Sequence, residues 1–384
     1  MKTKIIPKIL AICLALIILA GTLPTTAIAD TPKHQNTIEI NNRVIATITT
    51  QDNLIPLRPI VEHLGGSMTW NSRTRQVSIV QGSRRITLNI GSTRATVNNR
   101  EVRLTTAPRI INGSTMVYLC FFANHMGLGA GHINNRFILS TTPARRIPVV
   151  TYHHILPDEM NTTMRHNPWV ISTENFQEQM RYLYDNNFYT PTLDELEAFI
   201  YQGRPLPARS VMIHFDDGYY SNYVYARPIL LQYGLRAVLF PITAHIVEQN
   251  ELQRPFSHDS LVWLSEETLR RSEDVFETAS HAHYFHALVE GTEQTRLTAE
   301  SKENIIEDTL RSFEFLTNHR AYAYPRGQYN ATVIAALREV GITMAFTINN
   351  GYITSQSDPF RLNRFLIFRC TEMPRFRNIV NGRL

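Results

Sequence analysis

At positions 211–218 the chain reads Val211-Met212-Ile213-His214-Phe215-Asp216-Asp217-Gly218. The apolar start is typical of a buried strand, and the glycine indicates a turn directly after the two carboxylates. Because side chains alternate along a strand, Asp216 and Asp217 point in different directions and can have different roles. One carboxylate can bind a metal ion while the other accepts a proton, although an exposed acidic turn closed by Gly218 would show the same residues.

Strand-like and helix-like segments alternate around these acids. Apolar runs predict strands at 149–152, 210–215, 237–241, 321–324 and 344–348. Helical periodicity predicts helices at 172–184, 192–201, 223–233, 299–317 and 331–340. This alternation predicts an α/β domain with a mainly parallel sheet or barrel. In such folds the reactive side chains gather at the carboxyl ends of the strands.

Two further segments carry reactive side chains. The first reads Ser280-His281-Ala282-His283-Tyr284-Phe285-His286 and supplies three imidazoles, which suit zinc or a neighbouring first-row metal. A polar loop with hydrogen-bonded histidines is the alternative. The second reads Tyr324-Pro325-Arg326-Gly327 and predicts a tight turn with backbone N–H groups and an arginine, although an ordinary strand-to-helix turn also fits.

The N-terminal third contains an internal repeat. Residues 55–65 have a counterpart at 117–127, and each copy predicts a short helix closed by a glycine. Strand-like runs surround both copies, and pairs of asparagines at 41–42, 98–99 and 134–135 predict hairpin turns. Residues 37–141 are therefore predicted to form a small β-rich domain of two pseudo-repeats. His63 and His125 occupy matched positions without metal-ligand spacing, so this domain is expected to bind or space rather than catalyse.

The first residues have the three-part layout of a secretory signal peptide. Lysines at 2, 4 and 8 precede an apolar run at 9–20, and Ala27-Ile28-Ala29 offers a small-residue cleavage site. The run is shorter than the ~18 residues that a spanning helix usually needs, so a retained anchor is the less favoured alternative. We expect a secreted or cell-wall-associated protein without stable membrane insertion.

Charge and cysteine content narrow the function further. Without the three leader lysines, the 38 basic residues become 35 against 33 acidic ones, so the formal charge of +5 becomes +2 and does not favour a nucleic-acid partner. Outside the leader the cysteines are Cys120 and Cys370, which do not make a disulfide scaffold and are read as buried or free thiols.

Taken together and in this order, the motifs resemble the NodB-homology domain of the polysaccharide deacetylases, carbohydrate esterase family four. The matching segments are 214–218, His281 with His286, and the aromatic-Pro-x-Gly turn at 324–327. Supporting matches include 152–154 and Arg361-Leu362-Asn363-Arg364. The spacing is most similar to that of the branch that deacetylates poly-N-acetylglucosamine. Residues 37–141 are similar to the copper amine oxidase-like N-terminal domain.

The resemblance implies a distorted (β/α) barrel that hydrolyses N-acetyl groups on an N-acetylglucosamine-containing polysaccharide, either peptidoglycan or poly-N-acetylglucosamine. It implies that Asp217, His281 and His286 bind one divalent metal ion, with zinc foremost and cobalt, nickel, manganese or iron as alternatives. Asp216 would be the general base. The turn formed by Tyr324, Pro325, Arg326 and Gly327 would contact the substrate and its oxyanion.

The sequence departs from the family at several positions. His214 replaces a hydroxyl residue, Ala282 replaces Ser or Thr, and Arg326 stands where an aromatic is common. The family's final motif supplies a histidine as general acid, but no histidine follows His319. Because His153 directly follows the strand at 149–152, we expect it to take the acid role, with His154 starting towards the opposite face.

The predicted organisation is a signal peptide at 1–29, the β-rich domain at 37–141, a linker at 142–148 and a deacetylase domain at 149–375. Two other functions stay open. The missing terminal histidine favours a non-catalytic glycan-binding protein of the cell wall, whereas the intact acids and histidines oppose it. The same site would also serve an esterase that removes O-acetyl groups.

Overall fold

The computed structural model describes residues 35–50 and 53–384. The predicted signal peptide, residues 1–29, lies outside these described residues. In the described part of the chain, no helix is both long and apolar enough to span a membrane.

The N-terminal part is rich in strands. In chain order its elements are β1 (Gln35–Ile40), β2 (Arg43–Thr49), β3 (Leu54–Pro56), α1 (Leu57–His63), β4 (Ser67–Asn71), β5 (Gln76–Gln81), β6 (Arg84–Asn89), β7 (Arg94–Val97), β8 (Arg100–Arg103), β9 (Arg109–Ile111), β10 (Ser114–Tyr118), α2 (Leu119–Met126), β11 (Gly129–Ile133) and β12 (Arg136–Ser140). They form a sheet of order β11-β12-β1-β2, a meander β4-β5-β6-β7-β8 and a small sheet β3-β10-β9. The two repeat copies, β3–α1 and β10–α2, meet where β3 pairs antiparallel with β10. The predicted β-rich domain is confirmed.

The asparagine pairs form the turns that the sequence predicts. Both residues have positive φ at 41–42, 98–99 and 134–135. This conformation matches the right-handed twist of a hairpin, and asparagine tolerates it better than most residues do. Apolar side chains of the two larger sheets and both helices then share one core, which includes Ile60, Phe122 and Leu139.

The C-terminal part alternates strands and helices. Its elements are β13 (Val149–Tyr152), β14 (His154–Leu156), β15 (Val170–Ser172), α3 (Thr173–Asp185), α4 (Leu193–Gln202), β16 (Met212–Asp217), α5 (Arg227–Tyr233), β17 (Ala237–Pro241), α6 (Thr243–Leu252), α7 (Glu266–Arg271), β18 (Phe276–Thr278), α8 (Arg296–Ala299), α9 (Lys302–Phe313), β19 (Ala321–Ala323), α10 (Ala331–Glu339), β20 (Met344–Phe346), β21 (Phe365–Leu366) and α11 (Met373–Val380). The caps follow the sequence: Ser172 accepts a hydrogen bond from the N–H of Asn175, and Thr192 with Glu195 forms a capping box.

The predicted parallel sheet is present, and the predicted barrel is not confirmed. Regular parallel ladders give a sheet of order β18-β17-β16-β13-β21 and a separate pair β19-β20. Single parallel bridges, Ser280 with Tyr322 and Phe346 with Leu362, connect the two pieces. Because β19 and β20 have three residues each and β21 only two, these strands are too short to pair continuously around a ring.

One predicted helix begins differently. The segment predicted as a helix at 223–233 starts with a π-helical turn, Asn222–Ala226, before α5. Pro228 explains the change, because it lacks the N–H group that a regular α-helix would need at that position. The wide turn begins at Asn222, a few residues after the site segment at 216–218.

β11 and the turn that follows it contact the α/β part, as do Cys120 on α2 and Ser140 at the end of β12. The N–H of Ala130 donates to the carbonyl oxygen of Pro205 at 3.1 Å, and the Asn134 side chain donates to the carbonyl oxygen of Gly234 at 2.7 Å. Pro205 and Gly234 precede β16 and β17, respectively. The β-rich part therefore lies at the amino-terminal ends of these strands, away from the carboxyl end that carries Asp216 and Asp217.

Candidate active site

The first site segment is the carboxyl end of β16. Asp216 is buried and Asp217 is the last residue of the strand. Asp217 has φ +72° and Gly218 has φ +80°, so the chain turns sharply here. A Cβ atom at Gly218 would lie 2.7 Å from the Cβ of Pro241, which explains why glycine closes the motif. This turn separates the directions of the two carboxylates.

Asp217, His281 and His286 form a cluster with the geometry of a metal site. Each offers one ligand atom, and these three atoms lie within 4.8 Å of one another. Oδ1 of Asp217 is 3.6 Å from Nε2 of His281 and 3.5 Å from Nε2 of His286. One carboxylate and two imidazoles that leave other positions open are a ligand set suited to a catalytic zinc ion. The residues therefore fit one divalent ion.

Hydrogen bonding orients one of these three ligands, and burial and nearby charges set the protonation states of the other two. Nδ1 of His281 lies 2.8 Å from the carbonyl oxygen of Ala323, and donation there directs Nε2 to the cluster. Burial, with the nearby His281, lowers the pKa of His286 to about 4. Burial would raise the pKa of Asp217, but the neighbouring histidines, His153 foremost, hold it below its ordinary value. Both groups are thus deprotonated at neutral pH, the form that binds metal.

His283, the remaining histidine of the motif, does not face this cluster. Nδ1 of His283 lies 2.9 Å from the Thr243 hydroxyl. The backbone N–H groups of His283 and Tyr284 donate to the two carboxylate oxygens of Asp308, at 2.9 and 2.7 Å. Asp308 is buried on α9, so it fixes the loop that presents His281 and His286. Sequence reasoning did not identify this carboxylate.

Asp216 has a partner that sequence reasoning also missed. Arg364, fully buried, donates from Nη1 and Nη2 to Oδ1 and Oδ2 of Asp216, both at 2.8 Å. Burial alone would raise the pKa of Asp216, but Arg364 outweighs this effect and holds the pKa well below its ordinary value. The carboxylate is therefore ionised and fixed in orientation. The only sequence signal was the match at 361–364, which gave Arg364 no role.

His153 lies beside the two acids. It is partly buried, and its Nδ1 atom is buried with no hydrogen-bond partner in the described part of the chain. Burial lowers its pKa below the ordinary value, and the charges of Asp217 and Asp216 offset this effect only in part. Its ring packs against Trp169 at a centroid distance of 4.4 Å. His154 instead faces the Ser221 hydroxyl, which its Nδ1 contacts, and stacks on Tyr219.

The turn at 324–327 is a short 3₁₀ turn in which Arg326 has φ +52°. The N–H groups of Gly327 and Gln328 donate to carbonyl oxygens within the turn. Because Pro325 has no N–H, the amide of Arg326 is the candidate donor to a ligand. Tyr324 is buried, donates to the carbonyl oxygen of Phe360 and stacks on Tyr329.

These segments surround a single cavity of about 350 Å³. Its lining includes the acids, the metal-site histidines and two residues of the turn, together with further aromatic side chains. The lining residues are His153, His154, Asn167, Trp169, Asp216, Asp217, Tyr219, Leu261, His281, His286, Tyr324, Arg326, Ile348 and Leu366. Pro325 and Gly327 do not line it, and sequence reasoning missed Trp169.

The backbone of the three site motifs contains residues in an unfavourable conformation. Asp217, Ala282 and Arg326 all have positive φ, and each belongs to a different site motif. Such conformations cost of order 1 kcal/mol for residues other than glycine and cluster at functional sites. The three motifs therefore share a backbone conformation that is frequent at functional sites, although Arg75 and Gln253, outside the site, also adopt it.

Comparison with protein families agrees with this arrangement. Residues 203–345 match the family described as polysaccharide deacetylase, and residues 35–135 match the copper amine oxidase N-terminal domain. The chain is 31% identical over 207 residues to the poly-β-1,6-N-acetyl-D-glucosamine N-deacetylase of Staphylococcus epidermidis, covering 51% of this chain and 68% of that protein. It is 24% identical over 229 residues to the polysaccharide deacetylase-like YxkH of Bacillus subtilis, covering 59% and 73%, respectively.

Solved structures share the fold. IcaB from Ammonifex degensii superposes with a TM-score of 0.52 at 21% identity, covering 63% of this chain and 99% of that chain. A de-N-acetylase from Aggregatibacter actinomycetemcomitans superposes with a TM-score of 0.51 at 21% identity, covering 61% and 99%, respectively. At this level of identity the likeness concerns the α/β fold.

Proposed function

Because the chain belongs to the polysaccharide deacetylase family, a family of hydrolases, we propose that it removes N-acetyl groups from an N-acetylglucosamine-containing polysaccharide outside the cell. The observation that carries the proposal is the cluster of Asp217, His281 and His286 beside the ionised Asp216. The names of the staphylococcal relatives favour poly-β-1,6-N-acetylglucosamine as the polymer, and peptidoglycan is the alternative.

Asp217, His281 and His286 would hold one divalent ion, with zinc the best fit to two imidazoles and a carboxylate. When bound, such an ion polarises the acetyl carbonyl and makes water a better nucleophile at neutral pH. The chain contributes a preorganised ligand set: Ala323 orients His281, and Asp308 anchors the loop that carries both histidines.

Asp216 would take the proton of the attacking water. Its two hydrogen bonds to Arg364 fix the carboxylate and keep it ionised. The low pKa weakens Asp216 as a base, so its contribution depends on its fixed position and on how acidic the nucleophile becomes. Positioning of this kind lowers the entropic cost of reaching the transition state.

His153 would give a proton to the departing amine. The cavity brings it together with Asp216 and Asp217, whose charges favour its protonated form, although burial dominates and its pKa lies below the ordinary value. Trp169 packs against its ring and restricts its orientation. The amide of Arg326 would donate to the oxyanion of the tetrahedral intermediate, a contribution often worth about 3 kcal/mol. Trp169 and Tyr219 would offer apolar faces to the sugar rings.

Acetate release from N-acetylglucosamine oligomers tests the proposal. Asp217→Ala should lose both bound metal and activity, whereas His283→Ala, a matched histidine outside the cluster, should keep its metal. Activity that resists chelation, or full metal content in Asp217→Ala, would contradict the assignment. Acetylated xylan measured in parallel distinguishes an O-acetyl esterase, and no release from either substrate would favour the non-catalytic glycan-binding protein.

A further inference from the structure

The near-neutral overall charge conceals an uneven distribution. Residues 35–141 contain eleven arginines and no lysine against four acidic residues, which gives a formal charge of +7. Residues 142–384 contain 23 basic against 28 acidic residues, which gives −5. A local excess of one sign is a property of a surface and its partners rather than of the fold. The β-rich part therefore has an electrostatic feature that the proposed deacetylation does not use.

Much of this charge lies on one face of the meander β4–β8. Along these strands Val77, Ile79, Ile86, Leu88 and Ala95 point into the core and are buried. The residues that alternate with them face outwards. Cross-strand register places Thr69, Ser78, Thr87 and Thr96 in one row across four strands. We call the outward side of the meander the arginine face. It includes Arg85, Arg94 and Arg103 on the strands, and Arg73 and Arg75 in the β4–β5 turn.

One contact on the arginine face is unfavourable by itself. Arg94 and Arg103 are directly opposite each other in the pairing of β7 with β8. Like charges in this position destabilise a sheet. Glu101 lies 3.8 Å from Arg94, but the side chains of this pair are 79% (Arg94) and 71% (Glu101) exposed, so it compensates little. A like-charge pair that the fold does not need indicates that the charge serves an external partner.

The remaining arginines of the face are not neutralised within the molecule. Among the described residues, no carboxylate forms an ion pair with Arg73, Arg75, Arg85 or Arg103. In the same described ranges, no hydrogen bond or ion pair connects residues 67–103 with residues 142–384. The hydrogen bonds between the two parts involve α2, β11, the β11–β12 turn and the end of β12 instead. The acidic α/β part therefore does not neutralise the arginine face.

We propose that the arginine face binds a linear polyanion that carries phosphate groups. Guanidinium groups match phosphate oxygens through paired hydrogen bonds, and the row of hydroxyl groups offers further donors to the same oxygens. Five strands at ~4.8 Å spacing span about 19 Å, which accommodates several charges of one extended chain. Because the β-rich part lies at the amino-terminal ends of β16 and β17, a polymer bound to it leaves the active-site cavity free.

Binding of labelled inorganic polyphosphate to the mature full-length chain, measured by fluorescence anisotropy, tests this proposal. For about four phosphate contacts and the salt dependence of a single-stranded polyanion, affinity should fall about 50-fold between 50 and 200 mM NaCl. The double variant Arg94→Gln/Arg103→Gln should weaken binding at least about 10-fold, roughly two lost charge-assisted contacts. Its melting temperature should not fall, because the substitution removes a repulsion.

Arg145→Gln/Arg146→Gln is the control matched in charge. Both arginines are exposed but lie outside the arginine face, so this variant should change the affinity less than about twofold. Equal losses in the two double variants, or no binding at 50 mM NaCl, would overturn the proposal. Equal affinity for polyglutamate would overturn the preference for phosphate, and tighter binding to duplex DNA would assign the face to nucleic acid instead. Acetate release from soluble oligomers should be unchanged in both variants, so this test is independent of the proposed catalysis.

Discussion

Arg364 and Asp216 form a buried ion pair in which two guanidinium nitrogens each lie 2.8 Å from one carboxylate oxygen. The same guanidinium donates from Nε to the carbonyl oxygen of Thr347 at 2.8 Å. Arg364 thus connects the end of β16 with the segment after β20, two regions that isolated bridges join in the described part of the chain. Burial of two charges is costly, and such a pair is tolerated when its hydrogen bonds are satisfied. Here it orients the carboxylate that we propose as the base.

Arg364→Gln should move the acid limb of the pH–rate profile to higher pH. Arg364 holds the pKa of Asp216 down against burial, so its removal raises that pKa and the carboxylate protonates earlier as the pH falls. The variant should also lose about 3–5 kcal/mol of stability at neutral pH, because a buried charge is left unpaired. Measurements of kcat/KM against pH and of urea unfolding check both effects.

Arg361→Gln is the control for that experiment. Arg361 lies in the same segment, but its side chain is 57% exposed, and it forms an ion pair with Asp358 rather than with Asp216. It should therefore leave the acid limb in place. An unchanged acid limb in Arg364→Gln would mean that Asp216 does not control the rate in this pH range.

His153→Ala should lower turnover by about 10²–10⁴ with metal content unchanged, if His153 protonates the leaving amine. The loss should shrink on an activated aryl acetate, whose leaving group needs no proton. His154→Ala should affect turnover less, since its Nδ1 contacts the Ser221 hydroxyl and its ring stacks on Tyr219. A large loss at His154 with none at His153 would transfer the acid role.

Local sequence patterns predicted the local structure well. The bounds of β13 and β17, the caps at Ser172 and Thr192, and the asparagine turns agree with the structure because neighbouring residues determine them. The pairing of Asp216 with Arg364, 148 positions apart, is a product of tertiary packing. No spacing rule distinguishes Arg364 from the other arginines in its segment.

The sequence pattern of the histidine motif also does not predict which of its histidines lie next to Asp217. Three histidines in six residues are equivalent candidates by composition. The positive φ of Ala282 and the hydrogen bonds to Asp308 then turn His283 away from Asp217. Which histidines converge is therefore decided by a loop conformation and by a carboxylate on α9, and the sequence pattern contains neither.

His214→Leu should reduce the loss of stability on acidification. His214 is fully buried between Phe240 and Phe346, and neither ring nitrogen has a hydrogen-bond partner among the described residues. Burial lowers its pKa well below the ordinary value, so the unfolded chain binds the proton more readily than the folded one. The stability contributed by neutral His214 is therefore present above the unfolded-state pKa near 6.5 and is lost as the pH falls below it.

Urea unfolding of the metal-free protein at pH 7.0 and 5.5 measures this effect. The difference in unfolding free energy between the two pH values should be about 1 kcal/mol smaller in His214→Leu than in the wild type. At pH 7.0 the variant should be as stable or slightly more stable, because leucine has no unsatisfied polar atoms. An identical pH dependence in the two proteins would show that His214 does not titrate on unfolding.

Gly129→Ala should loosen the contact between the β-rich and α/β parts. A Cβ atom at Gly129 would lie 2.2 Å from the carbonyl oxygen of Leu206, a backbone atom that cannot move aside without shifting the chain. The φ of Gly129 is not positive, so the effect is steric rather than conformational. Overpacking of this kind costs about 1–3 kcal/mol. Trypsin should then cut faster after Arg145 and Arg146, which are exposed between the two parts.

Gly66→Ala introduces a clash within the β-rich part, 2.9 Å from the Val80 carbonyl oxygen, and serves as the control. Cleavage at the wild-type rate in Gly129→Ala, or equal acceleration in Gly66→Ala, would mean that the contact at Leu206 does not hold the two parts together.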